Sequence, residues 1–369
     1  MTDTKIFIKS LAIAILMVFS LSSVASDQDI HTDNQEESAE SHAHKAEKFN
    51  PGVFIMDHIA DAYEWHILDK GDFHLSIPLP VILYSDYSGF NIFMSSKFHH
   101  GHDAYKNFKI ANEGDNKGKV VEMVDGAEVL PIDISITKNV LSLFVSLILL
   151  MWIFLSVAKR YKQSPNTSPK GLQSLLEPII IFIRDDIAKA SIGEKRYLKF
   201  TPFLLTIFFF IFLNNLMGLI PIFPFGANLT GNISITMVLA VFVFIITTFK
   251  GNKNYWIHIV NTPGVPWWLK FPIPLMPIVE IMGVFTKPFV LMVRLFANIT
   301  AGHIIVLGFY SLIFIFGDMS VGLGYGVSVL SVAFVIFMTV LELLVAFIQA
   351  YVFTLLAALY FGMAMEEHH

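Results

Sequence analysis

Five ionisable side chains stand in the apolar C-terminal part of the chain: Glu280, Lys287, Arg294, His303 and Glu342, with Asn298 and Gln349 as neutral polar companions. Glu280, Lys287 and Arg294 follow at intervals of seven, and Asn298 lies four beyond Arg294, a spacing that stacks all four on one face of a helix. His303 is nine residues from Arg294, half a turn out of phase, and Glu342 and Gln349 are again seven apart. A guanidinium stays protonated at any physiological pH, whereas a buried imidazole and carboxyl exchange protons once their environments bring their pKa values together. One face therefore carries a permanent cation and another carries groups that titrate. That division suits ion transport, in which titratable groups conduct and a fixed cation repels or pairs. Structural ion pairs between packed helices are the alternative for any one of these residues. Five such groups on two helices favour transport, because a charge at the bilayer centre costs roughly 2.5–3.5 kcal/mol on insertion scales and has to face water, protein or another charge.

The elements that position these residues lie in a membrane. The chain has 369 residues, of which 54% are hydrophobic, 14% aromatic and only 15% charged, with a mean hydropathy of +0.62. A soluble domain of this length carries nearer a quarter charged residues, so the surplus apolar surface needs lipid. The absence of cysteine excludes disulfide frameworks, thiolate metal sites and thiol nucleophiles. A net charge of −5 offers no basic footprint for nucleic acid.

Uncharged runs mark the spans. Asn139 to Ala158 is long enough to cross once, and the run from Phe200 to Phe249 is broken by Pro221, Pro224, Gly226 and Gly231 into two spans, about 201–222 and 233–249. Two further apolar stretches cover about 273–316 and 326–363. At 1.5 Å per residue the first of these would reach about 65 Å against a hydrocarbon core of about 30 Å, so the last two elements are expected to be long helices steeply inclined in the membrane as a hairpin. The turn between them is expected at 317–325, and Pro288 is a possible kink in the first. The connection after the first span holds nine Lys and Arg residues and the one after the third holds Lys250, Lys253 and Lys270, whereas the intervening turns hold none. The positive-inside rule then puts the N-terminal segment outside and the C-terminus inside, with five crossings.

The N-terminus agrees with that orientation. Lys5 and Lys9 precede a short apolar run and the small residues Ser23 and Ala25, the layout of a signal peptide over 1–25. Residues 26–135 are expected to be an exported acidic tail and a small mixed helix-and-strand cap, and 136–369 the membrane domain. Within the cap, Ile55, Ile59, Ala62, Tyr63 and His66 have helical spacing, and the runs at His74, Asn91 and Lys119 read as strands. Nine of the thirteen histidines precede residue 103. Adjacent His99 and His100, with His102, cannot all turn toward one ion, so a solvated loop is preferred to a metal site, and no metal or other cofactor is expected. Asn214 and Asn215 read as helix-packing residues.

The segment from Lys287 through Arg294 and Asn298 to His303, KPFVLMVRLFANITAGH, resembles the hallmark of subunit a of F-type ATP synthases. The run from Gln349, QAYVFTLL, with Tyr360 and Glu366-Glu367-His368, is similar to the last helix of that subunit, and Asn214 to Pro221 to its second span. The resemblance covers about residues 135–369 and implies a non-catalytic, proton-translocating stator subunit. Arg294 would face the essential carboxylate of the rotating c-ring. Asn298, His303, Glu342 and Gln349 would line the half-channel open to the periplasm, with Glu280 at the opposite exit and Lys287 on the same path. His303 and Glu342 appear exchanged relative to many bacterial members, which keeps one acid and one imidazole. The c-ring, the subunit b peripheral stalk, other ATP synthase subunits and the lipid bilayer are the partners so implied. A secondary ion transporter with a midplane charged site is the alternative, but no convincing inverted repeat is visible. An intramembrane metallohydrolase lacks its His-Glu-x-x-His stretch, and the chain has no phosphate-binding loop of its own.

Overall fold

A computed structural model describes residues 49–70, 73–101, 103–111, 114, 116–163, 168–220, 223–260 and 275–366. The expected signal peptide and acidic tail, along with His102 and Glu367-His368, lie outside these residues.

The cap begins with helix α1 (Pro51–Ile59). Asn50 caps it, its Oδ1 accepting from the backbone N–H groups of Gly52 and Val53 at 3.0 and 3.3 Å, and Pro51 occupies the first turn, where no N–H is needed. The helical spacing read on to His66 overshoots, because Ala60 turns extended and Glu64–Lys70 forms strand β1. The strands β2 (Phe73–Pro78), β3 (Pro80–Ser85), β4 (Gly89–Met94), β5 (Phe108–Ile110), β6 (Val120–Val124), β7 (Ala127–Val129) and β8 (Ile132–Asp133) follow. They build three antiparallel sheets ordered β1-β2, β4-β3-β8 and β5-β6-β7. Alternate residues Val81, Leu83 and Phe93 turn inward to meet Phe98, Phe108 and Val120 in one apolar core.

The cap grips the first membrane helix, α2 (Lys138–Gln163), by its N-terminus. Three of the amides that open the helix without internal partners are satisfied there, and the first internal bond follows. The N–H of Lys138 donates to Ala62 O at 2.9 Å, that of Asn139 to Asp61 Oδ1 at 3.0 Å, that of Val140 to Thr137 Oγ1 at 3.4 Å, and that of Leu141 to Thr137 O at 2.9 Å. Asp61 and Ala62 leave the helical path of α1 because their acceptors serve α2. Asp61→Ala is expected to strip Asn139 of its acceptor at a cost of about 1 kcal/mol. Amide exchange at residues 138–140 should quicken in that variant and stay unchanged in Asp86→Ala, which alters an exposed turn.

Five helices among the described residues are long and apolar enough to cross a membrane: α2, α4 (Tyr197–Gly218), α5 (Ile233–Lys250), α7 (Leu275–Met319) and α8 (Val321–Met365). The chain is a multi-pass membrane protein. Between α2 and α4 the basic connection holds a further helix, α3 (Leu172–Phe182), continued by the π-helical segment Ile183–Lys189 and a last turn Ala190–Ile192. A short helix, α6 (Lys253–Val260), follows α5. Helices α7 and α8 have 45 residues each, about 67 Å at 1.5 Å per residue, and neither is broken into two spans; α7 runs unbroken through Pro288. The turn expected at 317–325 shrinks to Ser320 alone. Two glycines permit this, since a Cβ on Gly324 would come within 2.9 Å of Gly317 Cα.

Packing divides the described chain into two compact units. One holds the cap through Leu141 together with Ala301–Val340, and in it Phe314, near the tip of α7, lies 5.1 and 6.1 Å by ring centroid from Phe49 and Phe54. The other holds Ser142–Thr300 together with the chain from Leu341 on. Its core joins Leu204, Phe208 and Ile211 of α4 to Leu291 and Leu295 of α7 and to Ala350, Phe353, Ala357 and Phe361 of α8. The alanines on α8 allow the close helix approach that dispersion forces need inside lipid.

Candidate functional site

Six of the seven candidate residues, Glu280, Lys287, Arg294, Asn298, Glu342 and Gln349, belong to the second of these units; His303, half-buried on α7, belongs to the first. Leu291 and Leu295, each 1% exposed, fix the inward face of α7. Arg294 lies one residue away on the flank, and its side chain is exposed, as are Ala297 and Asn298 one turn on. The permanent cation of the membrane domain thus points out of the chain rather than into its core.

Lys287, two helical turns before Arg294, places its Nζ 5.6 Å from the centroid of the Tyr360 ring on α8, within cation–π range. Tyr360 also lies within reach of the Arg294 charge. Sequence reasoning placed the two cations on one face but did not foresee that Lys287 meets a tyrosine ring from the opposite helix. Glu280 stands half-buried near the start of α7. Its carboxylate neighbours Tyr255 of α6, whose phenol is pushed up by burial first and by the Glu280 charge second.

On α8, Glu342 is half-buried and Gln349 buried. Midway between them, Ala346 O accepts a hydrogen bond from Asn215 Nδ2 of α4 at 3.4 Å, and Asn215 Oδ1 accepts from Thr230 Oγ1 at 2.6 Å. The neighbouring Asn214 Nδ2 donates to Phe210 O at 2.7 Å within α4. Asn215 packs helices, as the sequence suggests, and holds the turn of α8 that carries Glu342 and Gln349, whereas Asn214 bonds within its own helix. Asn215→Leu is expected to leave the buried Thr230 hydroxyl without its acceptor, at about 1–3 kcal/mol. The thermal midpoint of the purified protein should fall, and Thr230→Val should restore most of it.

The C-terminus of α8 is tied down from two connections. Met365 O accepts from Arg196 at 2.9 Å and from Asn252 Nδ2 at 2.8 Å, and Ala364 O accepts from the Asn252 N–H at 2.8 Å. Carbonyls at a helix end have no internal partner and carry the negative pole of its dipole, which a guanidinium complements. One turn earlier, Gly362 lies so close to the turn Ala190–Ile192 that a Cβ there would come within 2.0 Å of Ser191 O. Neither contact is announced by local sequence.

In the cap, His99 Nδ1 lies 2.5 Å from Asp103 Oδ2, a partner four residues on that sequence reasoning passed over. Among the described residues, no three His, Asp or Glu side chains are grouped as a metal site would need.

Comparison with known proteins agrees with the geometry. Residues 140–362 match the family model "ATP synthase A chain", and residues 54–139 match a domain of unknown function, DUF8433. The chain is 44% identical over 250 residues to the ATP synthase subunit a of Chloroherpeton thalassium, which covers 65% of this chain and 70% of that protein. It is 46% identical to the ATP synthase subunit a 2 of Chlorobaculum tepidum, over 64% of this chain and 65% of the relative. With the ATP synthase subunit a of Anaeromyxobacter sp. the identity is 40%, over 70% and 61%. A family model that spans more than half of the chain, and five apolar helices ending in two of 45 residues, lead to one conclusion: this protein belongs to the ATP synthase A chain family, the subunit a family of F-type ATP synthases.

Proposed function

We propose that this chain is the proton-translocating stator subunit of the membrane sector of a rotary ATP synthase, with Arg294 facing the carboxylate of a c-ring. The observation that carries the reading is the exposure of Arg294 beside the fully buried Leu291 and Leu295. A guanidinium turned outward in a membrane helix costs several kcal/mol against lipid, so its flank needs an anionic or wet partner. A carboxylate presented by a rotor satisfies that need once per step and releases it when protonated. The fixed cation also repels protons, which keeps two half-channels separate.

Under this reading Asn298, His303, Glu342 and Gln349 serve the half-channel from the periplasm, His303 and Glu342 being its titratable members. Glu280 serves the exit on the other side, and Lys287, over the Tyr360 ring, lies on the same path. The N-terminal region lies in the periplasm after removal of residues 1–25, the region 26–135 forms the tail and cap, and the C-terminus is cytoplasmic in the inner membrane. Other ATP synthase subunits are its partners, among them the c-ring and the b subunits of the peripheral stalk. The chain carries no nucleotide chemistry.

The test uses inverted membrane vesicles from cells in which this chain is the sole subunit a. Addition of ATP should acidify the lumen, and the solubilised chain should co-purify with a ring of small hairpins. Ion movement that continues without the ring would overturn the reading and favour a midplane-site transporter.

A further inference from the structure

The sheet β4-β3-β8 has one face too many. Its inner face, with Val81, Leu83 and Phe93, fills the cap core. Its outer face is also apolar yet uncovered: Phe90 and Ile92 on β4 are 62% and 58% exposed, and Tyr84 on β3, Met94 on β4 and Ile132 on β8 are exposed beside them. The register makes this a continuous surface, since Tyr84 lies opposite both Phe90 and Ile132. A soluble face would alternate apolar with polar residues, and exposed apolar surface of this extent marks an interaction site.

The chain itself indicates what covers it. Beyond β8 the strand pairing continues, Ile134 N–H donating to Ile82 O at 2.9 Å and Ile136 N–H to Pro80 O at 3.0 Å, and α2 begins at Lys138. No flexible linker intervenes, because the first turn of α2 is bonded to Asp61 and Ala62. At about 3.3 Å per extended residue, Ile134 and Ile132 lie within about 13–20 Å of the start of the span, and β4 lies two strand spacings, about 10 Å, farther across the sheet. The polar headgroup layers add several ångströms to each side of the hydrocarbon. The apolar face therefore lies only a short, hydrogen-bonded stretch of backbone from the residue at which the span begins.

We propose that the outer face of the β4-β3-β8 sheet rests on the membrane surface, with Tyr84, Phe90, Ile92, Met94 and Ile132 at the boundary between headgroups and acyl chains. Aromatic rings that combine an apolar body with a polar tip favour that depth, which accounts for a tyrosine at the centre of the face. The inference requires only that α2 spans a bilayer and does not depend on proton translocation.

The chain contains no cysteine, so a single probe can be placed without removing any residue pair. Ile92→Cys and, as a second position, Phe90→Cys are labelled with a polarity-sensitive fluorophore in the full chain within its purified complex, reconstituted in phosphatidylcholine vesicles. Lys117→Cys, on an exposed loop of the same cap, is the reference. The probes at 92 and 90 should emit at shorter wavelength than the probe at 117. Lipids carrying a nitroxide near the headgroup should quench them severalfold more than they quench position 117, and aqueous iodide should show the reverse order. Iodide quenching at 92 and 90 equal to that at 117 would overturn the proposal. Protection from both quenchers would overturn it too, and would assign the face to a neighbouring protein.

Discussion

Arg294→Ala is expected to abolish ATP-driven acidification while the complex still assembles. The side chain is exposed and its removal leaves the inward contacts of Leu291 and Leu295 intact, so the change acts on charge and not on packing. Loss of an ion pair worth even about 1.4 kcal/mol lowers the population of the engaged state about tenfold, and an interaction shielded from water is worth more. Proton leak should rise after the ATPase head is stripped, because the fixed cation no longer separates the two sides. Arg294→Lys should fall between the two: it restores a charge but not the planar fork that can hold a carboxylate at two points. The measurement is dye quenching in inverted vesicles, paired with the content of stator and ring subunits in the same membranes. Normal pumping by an assembled Arg294→Ala complex would overturn the assigned role.

Gly362→Ala is expected to lower the thermal midpoint of the protein more than any other single-methyl change on the two long helices. The added carbon would sit 2.0 Å from Ser191 O, and because that oxygen belongs to backbone, no side chain can move aside. Relief requires α8 or the turn Ala190–Ile192 to shift, which strains the bonds that Arg196 and Asn252 make to Met365. Overpacking of this kind costs about 1–3 kcal/mol. Gly283→Ala is the contrast: a Cβ there meets nothing within 4 Å. In a helix that change should be neutral or stabilising by up to about 1 kcal/mol. Opposite signs for the same chemical change, read as thermal midpoints in one detergent, would separate close approach from helix propensity. A Gly362→Ala protein as stable as the parent would refute the argument.

The membrane helices were legible because lipid imposes a simple requirement, a long run without charge, and α2, α4, α5, α7 and α8 each meet it. The π-helical segment after α3 is not legible in this way, since Arg184, Asp185, Asp186 and Lys189 interrupt its apolar residues. In the structure Arg184 pairs with Asp185 at 2.7 Å and Lys189 with Glu194 at 2.9 Å, leaving Leu176, Ile183 and Ile187 as a buried stripe. The turn at Ser320 was read too long because glycine signals a loop in sequence and a close approach in space, and here the second meaning applies. The site divides in the same way. Intervals of seven placed Glu280, Lys287 and Arg294 on one face. Which of them faces outward depends on Leu291 and Leu295, and the part played by Tyr360, Asn215 and Asp61 depends on contacts between distant elements that no local pattern encodes.

The tied end of α8 has a mechanical meaning. A rotor that attracted and released Arg294, as proposed above, would also drag on it, and a slender rod yields to a sideways load far more when one end is loose than when it is clamped. Leu291 and Leu295 transfer that load from α7 into the shared core with α8, and Arg196 and Asn252 hold the far end of α8 fast at Met365. Under the proposed role the braced core would let torque developed at Arg294 turn the rotor instead of bending the stator.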